Sequence, residues 1–303
     1  MNFVEINNIS KSYGTHKALL ETSFSVKKGE LFGVIGPDGA GKTTLFRILT
    51  TLLLADSGSA NMAGFDILKD YKKIRQIVGY MPGKFSLYQD LTIEENLAFF
   101  ATIFGTTIKE NYELIKDIYI QIEPFKDRPA GKLSGGMKQK LALSCALIHK
   151  PEILILDEPT TGVDAVSRTE FWDLLRRFKE MGITIIVSTP YMDEASLCDR
   201  VALMQEGKIM QIDTPANIVK NYKPELLAIK SNNMHDLLVK LREYNLNSQV
   251  YLFGQTIHFS SNQTINQSDL NNYLKNNGHT NVEISASIPT IEDCFLWLMK
   301  QHN

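Results

Sequence analysis

The sequence predicts an α/β chain: a mostly parallel sheet flanked by helices, with a helical insertion, followed by a small α+β unit of ferredoxin-like order. Three observations carry this. A buried-strand run at residues 31–35 leads through a glycine-rich turn into a helical apolar pattern at 43–53. A second alternation of strand, helix and strand occupies residues 152–188, and from Pro224 onward the composition shifts toward Asn and Gln. Buried strands alternating with helices imply a parallel sheet, because each parallel crossover needs a helix to return the chain.

Taken in order, residues 3–9 and 31–35 are β-rich, and the helical pattern at 43–53 follows the turn. Residues from about 90 to 149 carry helical patterns and few strand signals, which marks them as an insertion. The run at 152–156, apolar from Ile153 to Leu156, fits a strand covered on both faces. Residues 167–181 then show helical periodicity, Gly182 stops that helix, and 183–188 form another buried strand. The first domain is expected over 1–222 and the second over 223–303. The second reads as strand 225–230, helix 234–244, strands 249–253 and 256–260, helix 267–276 and strand 282–286. That succession is the ferredoxin-like order. A closing helix at 290–301 has Thr290 as its cap, with Glu292 and Asp293 in the first turn, where carboxylates meet the positive end of the helix.

Composition narrows the function classes. With 303 residues, 44% hydrophobic and 22% charged, the chain has a globular composition, and its apolar runs are far shorter than the roughly 20 residues of a membrane span. A formal net charge of −2, with both signs interspersed, argues against a nucleic-acid surface. The start lacks the basic head and apolar run of a signal peptide, and Cys145, Cys198 and Cys294 have no metal or redox spacing. A reducing cytoplasmic setting is therefore expected, with any membrane contact made through a partner protein.

Gly36-Pro37-Asp38-Gly39-Ala40-Gly41-Lys42-Thr43-Thr44 satisfies G-x-x-x-x-G-K-[ST] and lies between a predicted strand and a predicted helix, the context the motif requires. Glycines let backbone N–H groups curl around phosphate oxygens, and the helix start adds partial positive charge. Lys42 reaches the terminal phosphates and the Thr43 hydroxyl ligates Mg²⁺. Alone, this loop specifies a P-loop nucleotide-binding protein and no more.

Further motifs narrow the class. Leu133-Ser134-Gly135-Gly136-Met137-Lys138-Gln139-Lys140 precedes a helix, and the run ending Asp157-Glu158-Pro159 follows within a few residues. Read alone, Ser134-Gly135 is a helix N-cap, Asp157-Glu158 an acidic capping pair and Tyr13 a packing residue. Together, in this order, they resemble the ATPases of ABC transporters: the LSGGQ signature with Met137 in the Gln position, the Walker B strand with its catalytic glutamate, and the D-loop at residues 160–164. The resemblance covers residues 1 to about 220. It implies that Tyr13 stacks on adenine, that Asp157 holds Mg²⁺ through water, and that Glu158 polarises the attacking water. Ser134, Gly135 and Gly136 would face the ATP of an opposing subunit. The implied cofactors are ATP and Mg²⁺, and the implied partners are a second ATPase subunit and a membrane permease.

Two positions depart from that pattern. Gly83 stands where the family's Q-loop glutamine is expected, with Gln89 six residues late, and Pro190 stands where the switch histidine is expected. Proline has no N–H to donate to a phosphate. With Lys42, Asp157 and Glu158 retained, a site that binds ATP and hydrolyses it slowly is expected. Two assemblies follow: a slow homodimer, or a heterodimer in which this chain lends Ser134-Gly135-Gly136 to a fully equipped partner. The ending 287–298 (Ser-Ile-Pro-Thr-Ile-Glu-Asp-Cys-Phe-Leu-Trp-Leu) and the segment 85–97 resemble the drug-resistance and ABC-2 type branch, and the missing histidine resembles the first half of tandem ABC-2 exporter ATPases. That implies a subunit peripheral to the inner face of the cell membrane, serving an ABC-2 type exporter.

Overall fold

The computed structural model of the chain describes residues 2–244 and 248–302. They form two compact units, Met1–Pro215 and Ala216–Asn303, so the division falls earlier than composition suggested.

The first unit opens with two long strands, β1 (Asn2–Tyr13) and β2 (His16–Lys27), followed by β3 (Leu31–Ile35), α1 (Lys42–Leu49), β4 (Ser57–Met62) and β5 (Phe65–Asp66). Next come α2 (Tyr71–Ile77), β6 (Val78–Met81), α3 (Ile93–Ile103), α4 (Tyr112–Tyr119) and α5 (Gly135–Leu147). The unit continues through β7 (Ile153–Asp157), α6 (Ala165–Glu180), β8 (Thr184–Thr189), β9 (Arg200–Gln205) and β10 (Lys208–Asp213). Strands β6, β7, β8, β3 and β9 are parallel neighbours in a six-stranded sheet of order β10-β9-β3-β8-β7-β6. Only β10 runs antiparallel, at the edge. Every residue of β3, β7 and β8 is buried, which is why these strands carry continuous apolar stretches rather than an alternating pattern.

Strands β1, β2, β4 and β5 make a separate antiparallel sheet of order β2-β1-β4-β5. The sequence shows little of it, for a physical reason: β1 and β2 pair with repeated register shifts, and Asn8 and Glu21 have positive φ, so the alternation on which strand recognition rests slips partway. Helix α1 packs between the two sheets, with Leu45, Phe46, Ile48 and Leu49 meeting Val4, Ile6, Val26, Phe32, Ile153 and Ile155 in one core. Helices α3, α4 and α5 form the insertion. Thr92 and Glu95 close a reciprocal capping box at the start of α3, and Ser134 caps α5.

The second unit begins within α7 (Pro215–Lys220) and contains β11 (Glu225–Ser231), α8 (Met234–Tyr244), β12 (Gln249–Phe253), β13 (Thr256–Ser261), α9 (Gln267–Asn276), β14 (Val282–Ala286) and α10 (Ile291–His302). Its sheet order, β12-β13-β11-β14 with all pairs antiparallel, is ferredoxin-like. Leu237, Leu241, Leu270 and Leu274 of α8 and α9 pack on Leu227, Ile229, Ile257 and Phe259. Side chains alternate across a strand, so His258 faces the other side, where its Nδ1 meets Asp293 Oδ1 of α10 at 2.7 Å. Asp293 also accepts the Thr290 N–H at 2.8 Å while Thr290 Oγ1 accepts the Asp293 N–H, a closed cap at the start of α10.

Candidate nucleotide site

The site assembles at the carboxyl ends of three adjacent strands, where open α/β sheets place their ligands. Strand β8 lies between β3 and β7, with Ile35 opposite Thr189 and Asp157 opposite Ser188. This register brings together the loop after β3, the carboxylates ending β7 and the segment after β8.

The glycine loop turns sharply, and its glycines are required by space. A Cβ at Gly36 would fall 2.1 Å from the Met204 carbonyl, and one at Gly41, where φ is +106°, would fall 2.4 Å from the Ala18 carbonyl. Gly39 supplies a further positive φ. Lys42 is the first residue of α1 and is 3% exposed. Its ammonium donates to the Gly36 and Pro37 carbonyls at 2.8 and 2.9 Å and pairs with Glu158 Oε1 at 3.0 Å. Glu158 has a φ of 50°, a left-handed backbone that non-glycine residues adopt only when their surroundings hold it. Its N–H donates to both the carbonyl and the hydroxyl of Ser188, and the same hydroxyl donates to Asp157 Oδ1 at 2.7 Å. Ser188 thus ties the Asp157 carboxylate and the Glu158 backbone to β8. Neither acts as a helix-capping pair.

Two clefts flank this centre. The smaller, about 310 Å³, is lined by Tyr13, His16, Asp38, Gly39, Gly41, Lys42, Thr43, Thr44 and Glu158 among others. The hairpin β1–β2 brings Tyr13 and His16 opposite each other there, and Tyr13 is 47% exposed, so it does not pack in the core. Pro37 and Ala40 shape the loop from outside the cleft lining. The larger cleft, about 880 Å³, has Thr43, Asp157 and Glu158 at one end and Leu52, Met81, Phe100, Ile103 and Phe104 farther along. Burial pushes the Tyr80 phenol in its wall up to about 12, with Asp157 adding to the effect and the Arg47 guanidinium opposing it.

The residues present fit a magnesium nucleotide. The loop offers open backbone N–H groups around a buried ammonium, and Thr43 and Asp157 share one cleft wall. A hydroxyl and one carboxylate suit Mg²⁺, which keeps much of its shell for water and phosphate. Ser134, Gly135 and Gly136 line neither cleft. Ser134 caps α5 by accepting the Met137 N–H, Gly135 faces the Gly162 carbonyl and Gly136 approaches the Ser167 hydroxyl, so the tripeptide sits beside the segment 160–167. A Cβ at Gly83 would lie 3.0 Å from the Asp157 carbonyl and 3.8 Å from Glu158 Cβ. Gly83 therefore stands against the carboxylate pair and presents no side chain to it. Gln89 is held elsewhere, its carbonyl accepting the Gly131 N–H. Pro190 lines neither cleft. Sequence reasoning missed Ser188, His16 and the Arg47–Tyr80 contact; the one available signal was a pair of hydroxyls, Ser188 and Thr189, following the apolar Ile185–Val187 at the end of β8.

Comparison with known proteins agrees with this geometry. A protein-family signature described as ABC transporter matches residues 19–161. The chain is 41% identical over 217 residues to the probable multidrug ABC transporter ATP-binding protein YbhF of Escherichia coli (strain K12), covering 71% of this chain but only 38% of that protein's length. It is 34% identical over 299 residues to the Nod factor export ATP-binding protein I of Sinorhizobium fredii, covering 97% of this chain and 85% of that one. Among solved structures, the dimeric structure of MJ0796, a bacterial ABC transporter cassette, superposes with a TM-score of 0.64 at 25% identity, over 70% of this chain and 98% of that one. Among the described residues no helix is long and apolar enough to cross a membrane. The chain belongs to the ATP-binding proteins of ABC transporters, on the branch whose relatives are named for multidrug and Nod factor export.

Proposed function

We propose that this chain binds ATP with Mg²⁺ and hydrolyses it, and that the cycle drives an ABC-2 type membrane exporter. The observation that carries the reading is the meeting of Lys42, at the base of the glycine loop, with Glu158, at the exposed end of a buried strand. Backbone N–H groups of the loop and the first turn of α1 hold the phosphates, Lys42 neutralises their charge, and Tyr13 and His16 flank the base side of the cleft. Thr43 and Asp157 hold Mg²⁺, which when bound supplies charge stabilisation on the phosphate oxygens. Glu158 orients and deprotonates the attacking water. The Ser134 hydroxyl and the amides of Gly135 and Gly136 complete the site of an opposing cassette, so that nucleotide closes the dimer and its hydrolysis reopens it.

The membrane partner is a permease of the ABC-2 type, and the larger cleft suits its cytoplasmic segment. Its apolar stretch continues onto Ile103, 59% exposed, beside Phe99 and Tyr88, whose rings stack edge to face at 4.8 Å. Exposed aromatic patches of this kind mark docking surfaces. A peripheral place on the cytoplasmic face of the membrane follows, with contact through the permease and no role for nucleic acid. A second reading is favoured by Gly83 and Pro190, which bring no hydrogen-bonding side chain to the terminal-phosphate side. In it, this chain holds ATP and lends its signature tripeptide to a different, catalytic ATPase subunit. Equilibrium binding of Mg-ATP to the full chain tests what both readings share. Wild type binds, Lys42→Met loses at least about a hundredfold in affinity, and equal affinity in both would reject the site.

A further inference from the structure

A layer of contacts behind the carboxylate pair converges on a residue that no motif singles out. Glu194, in the turn Met192–Leu197, is 2% exposed. Its Oε2 accepts the Thr160 hydroxyl at 3.1 Å and the Thr189 hydroxyl, and its Oε1 accepts Arg168 Nε at 3.1 Å. Arg168 also reaches Asp193 and lies over the Tyr191 ring at 4.3 Å, which fixes the guanidinium in place. The Thr189 hydroxyl accepts the Tyr191 N–H at 3.1 Å, so its proton is directed at Glu194. One buried anion thereby joins three segments: the residues just after Glu158, the end of β8 and the first turns of α6.

This arrangement bears on Glu158 through its backbone. A positive φ at a glutamate persists only where the surroundings over-determine it. On the N-terminal side the Glu158 N–H is held by Ser188, and on the C-terminal side its carbonyl accepts the Thr161 N–H at 3.2 Å. Thr160, 1% exposed, is the side chain that ties this C-terminal side down, and Glu194 is what it is tied to. We propose that Glu194 is a positioning residue for hydrolysis: it pins Thr160 to Thr189 from behind the site and so keeps Glu158 aimed into the cleft. The proposal rests on the hydrolytic reading above. Ser188 sets the start of the Glu158 turn and Glu194 sets its end, while nucleotide binding, which depends on Lys42 and the loop, is left alone.

The test uses the full chain and Mg-ATP, with Glu194→Leu and the milder, isosteric Thr160→Val, which leaves the Arg168 and Thr189 contacts in place. Three quantities are read: ATP affinity, the kcat and KM of hydrolysis, and amide hydrogen exchange across residues 157–164 and 189–195. The expected result for Thr160→Val is affinity and KM within about twofold of wild type, kcat down about tenfold to a hundredfold, and exchange in 157–164 faster by about tenfold or more. Adding Glu194→Leu to Thr160→Val is expected to lower kcat little further, because one acts through the other. A lower melting temperature with kcat and local exchange unchanged would overturn the proposal, since Glu194 would then be structural only. If wild type binds ATP and releases no phosphate, the hydrolytic reading fails, and the exchange measurement alone decides whether Glu194 holds the Glu158 turn.

Discussion

Replacing Glu158 by Gln removes one charge from a pair that holds a nearly buried ammonium, and its effect on the nucleotide-free chain follows from the geometry. Lys42 is 3% exposed and Glu158 21%, with 3.0 Å between them. At an effective dielectric constant of about 20, two unit charges at that distance attract by roughly 5 kcal/mol before desolvation is subtracted. The amide oxygen introduced by Glu158→Gln still accepts a hydrogen bond, and the Gly36 and Pro37 carbonyls still hold the ammonium. The net loss is then that of a charge-assisted bond weakened to an ordinary one, about 2 kcal/mol. For a unit of this size that lowers the melting temperature by about 4–8 °C. Bound ATP reverses the sign. In wild type the phosphates must displace Glu158 from Lys42, whereas in the variant the ammonium is already free of its carboxylate. The same difference of about 2 kcal/mol therefore appears as tighter binding, about thirtyfold in Kd. Differential scanning fluorimetry with and without Mg-ATP, together with equilibrium binding, measures both halves. A nucleotide-free variant that melts with wild type, or that binds ATP no more tightly, would refute the idea that Glu158 holds the place of the phosphates.

The same geometry fixes other outcomes. Gly83→Gln with Pro190→His is expected to raise turnover about tenfold or more while costing about 1–3 kcal/mol of stability, because a Cβ at Gly83 crowds the Asp157 carbonyl; phosphate release and thermal melts read the two effects. Burial pushes His149, stacked on Phe104 with ring centroids 3.8 Å apart, down to about 4 from its ordinary 6.5. Its folded value is depressed, so the unfolded chain binds the extra proton between about pH 6.5 and 4; stability falls through that window by up to about 3 kcal/mol, and His149→Phe is expected to flatten the decline measured by urea melts. Thr290→Ala opens the cap of α10 and is expected to cost the second unit about 1 kcal/mol, read as an earlier urea midpoint with an unchanged slope.

What the sequence discloses depends on how locally each feature is encoded. The elements β11 to α10 differ from their expected bounds by at most one residue, because turn residues separate these short runs. The glycine loop and Lys42 are legible because spacing along one segment defines them, whereas the Asp157-Glu158 pair is read only through the family resemblance. The antiparallel sheet was not, since bulges in β1 break its period, and β9 and β10 were passed over although β9 completes the core beside β3. Ser188 and Glu194 escaped for a different reason. Each is ordinary in its own segment and takes its role from residues about 30 positions away, Asp157 and Thr160, brought near by the β7–β8 register. Gly83 could be read as a departure, but its contact with the Asp157 carbonyl exists only in three dimensions.

Steady-state phosphate release by the purified full chain with Mg-ATP, beside Glu158→Gln, decides whether Glu158 acts on the attacking water. Slow, Mg²⁺-dependent turnover is expected in wild type, cut about a hundredfold or more by Glu158→Gln while ATP binding persists. Binding without any release in wild type, or release that Glu158→Gln leaves intact, would contradict it.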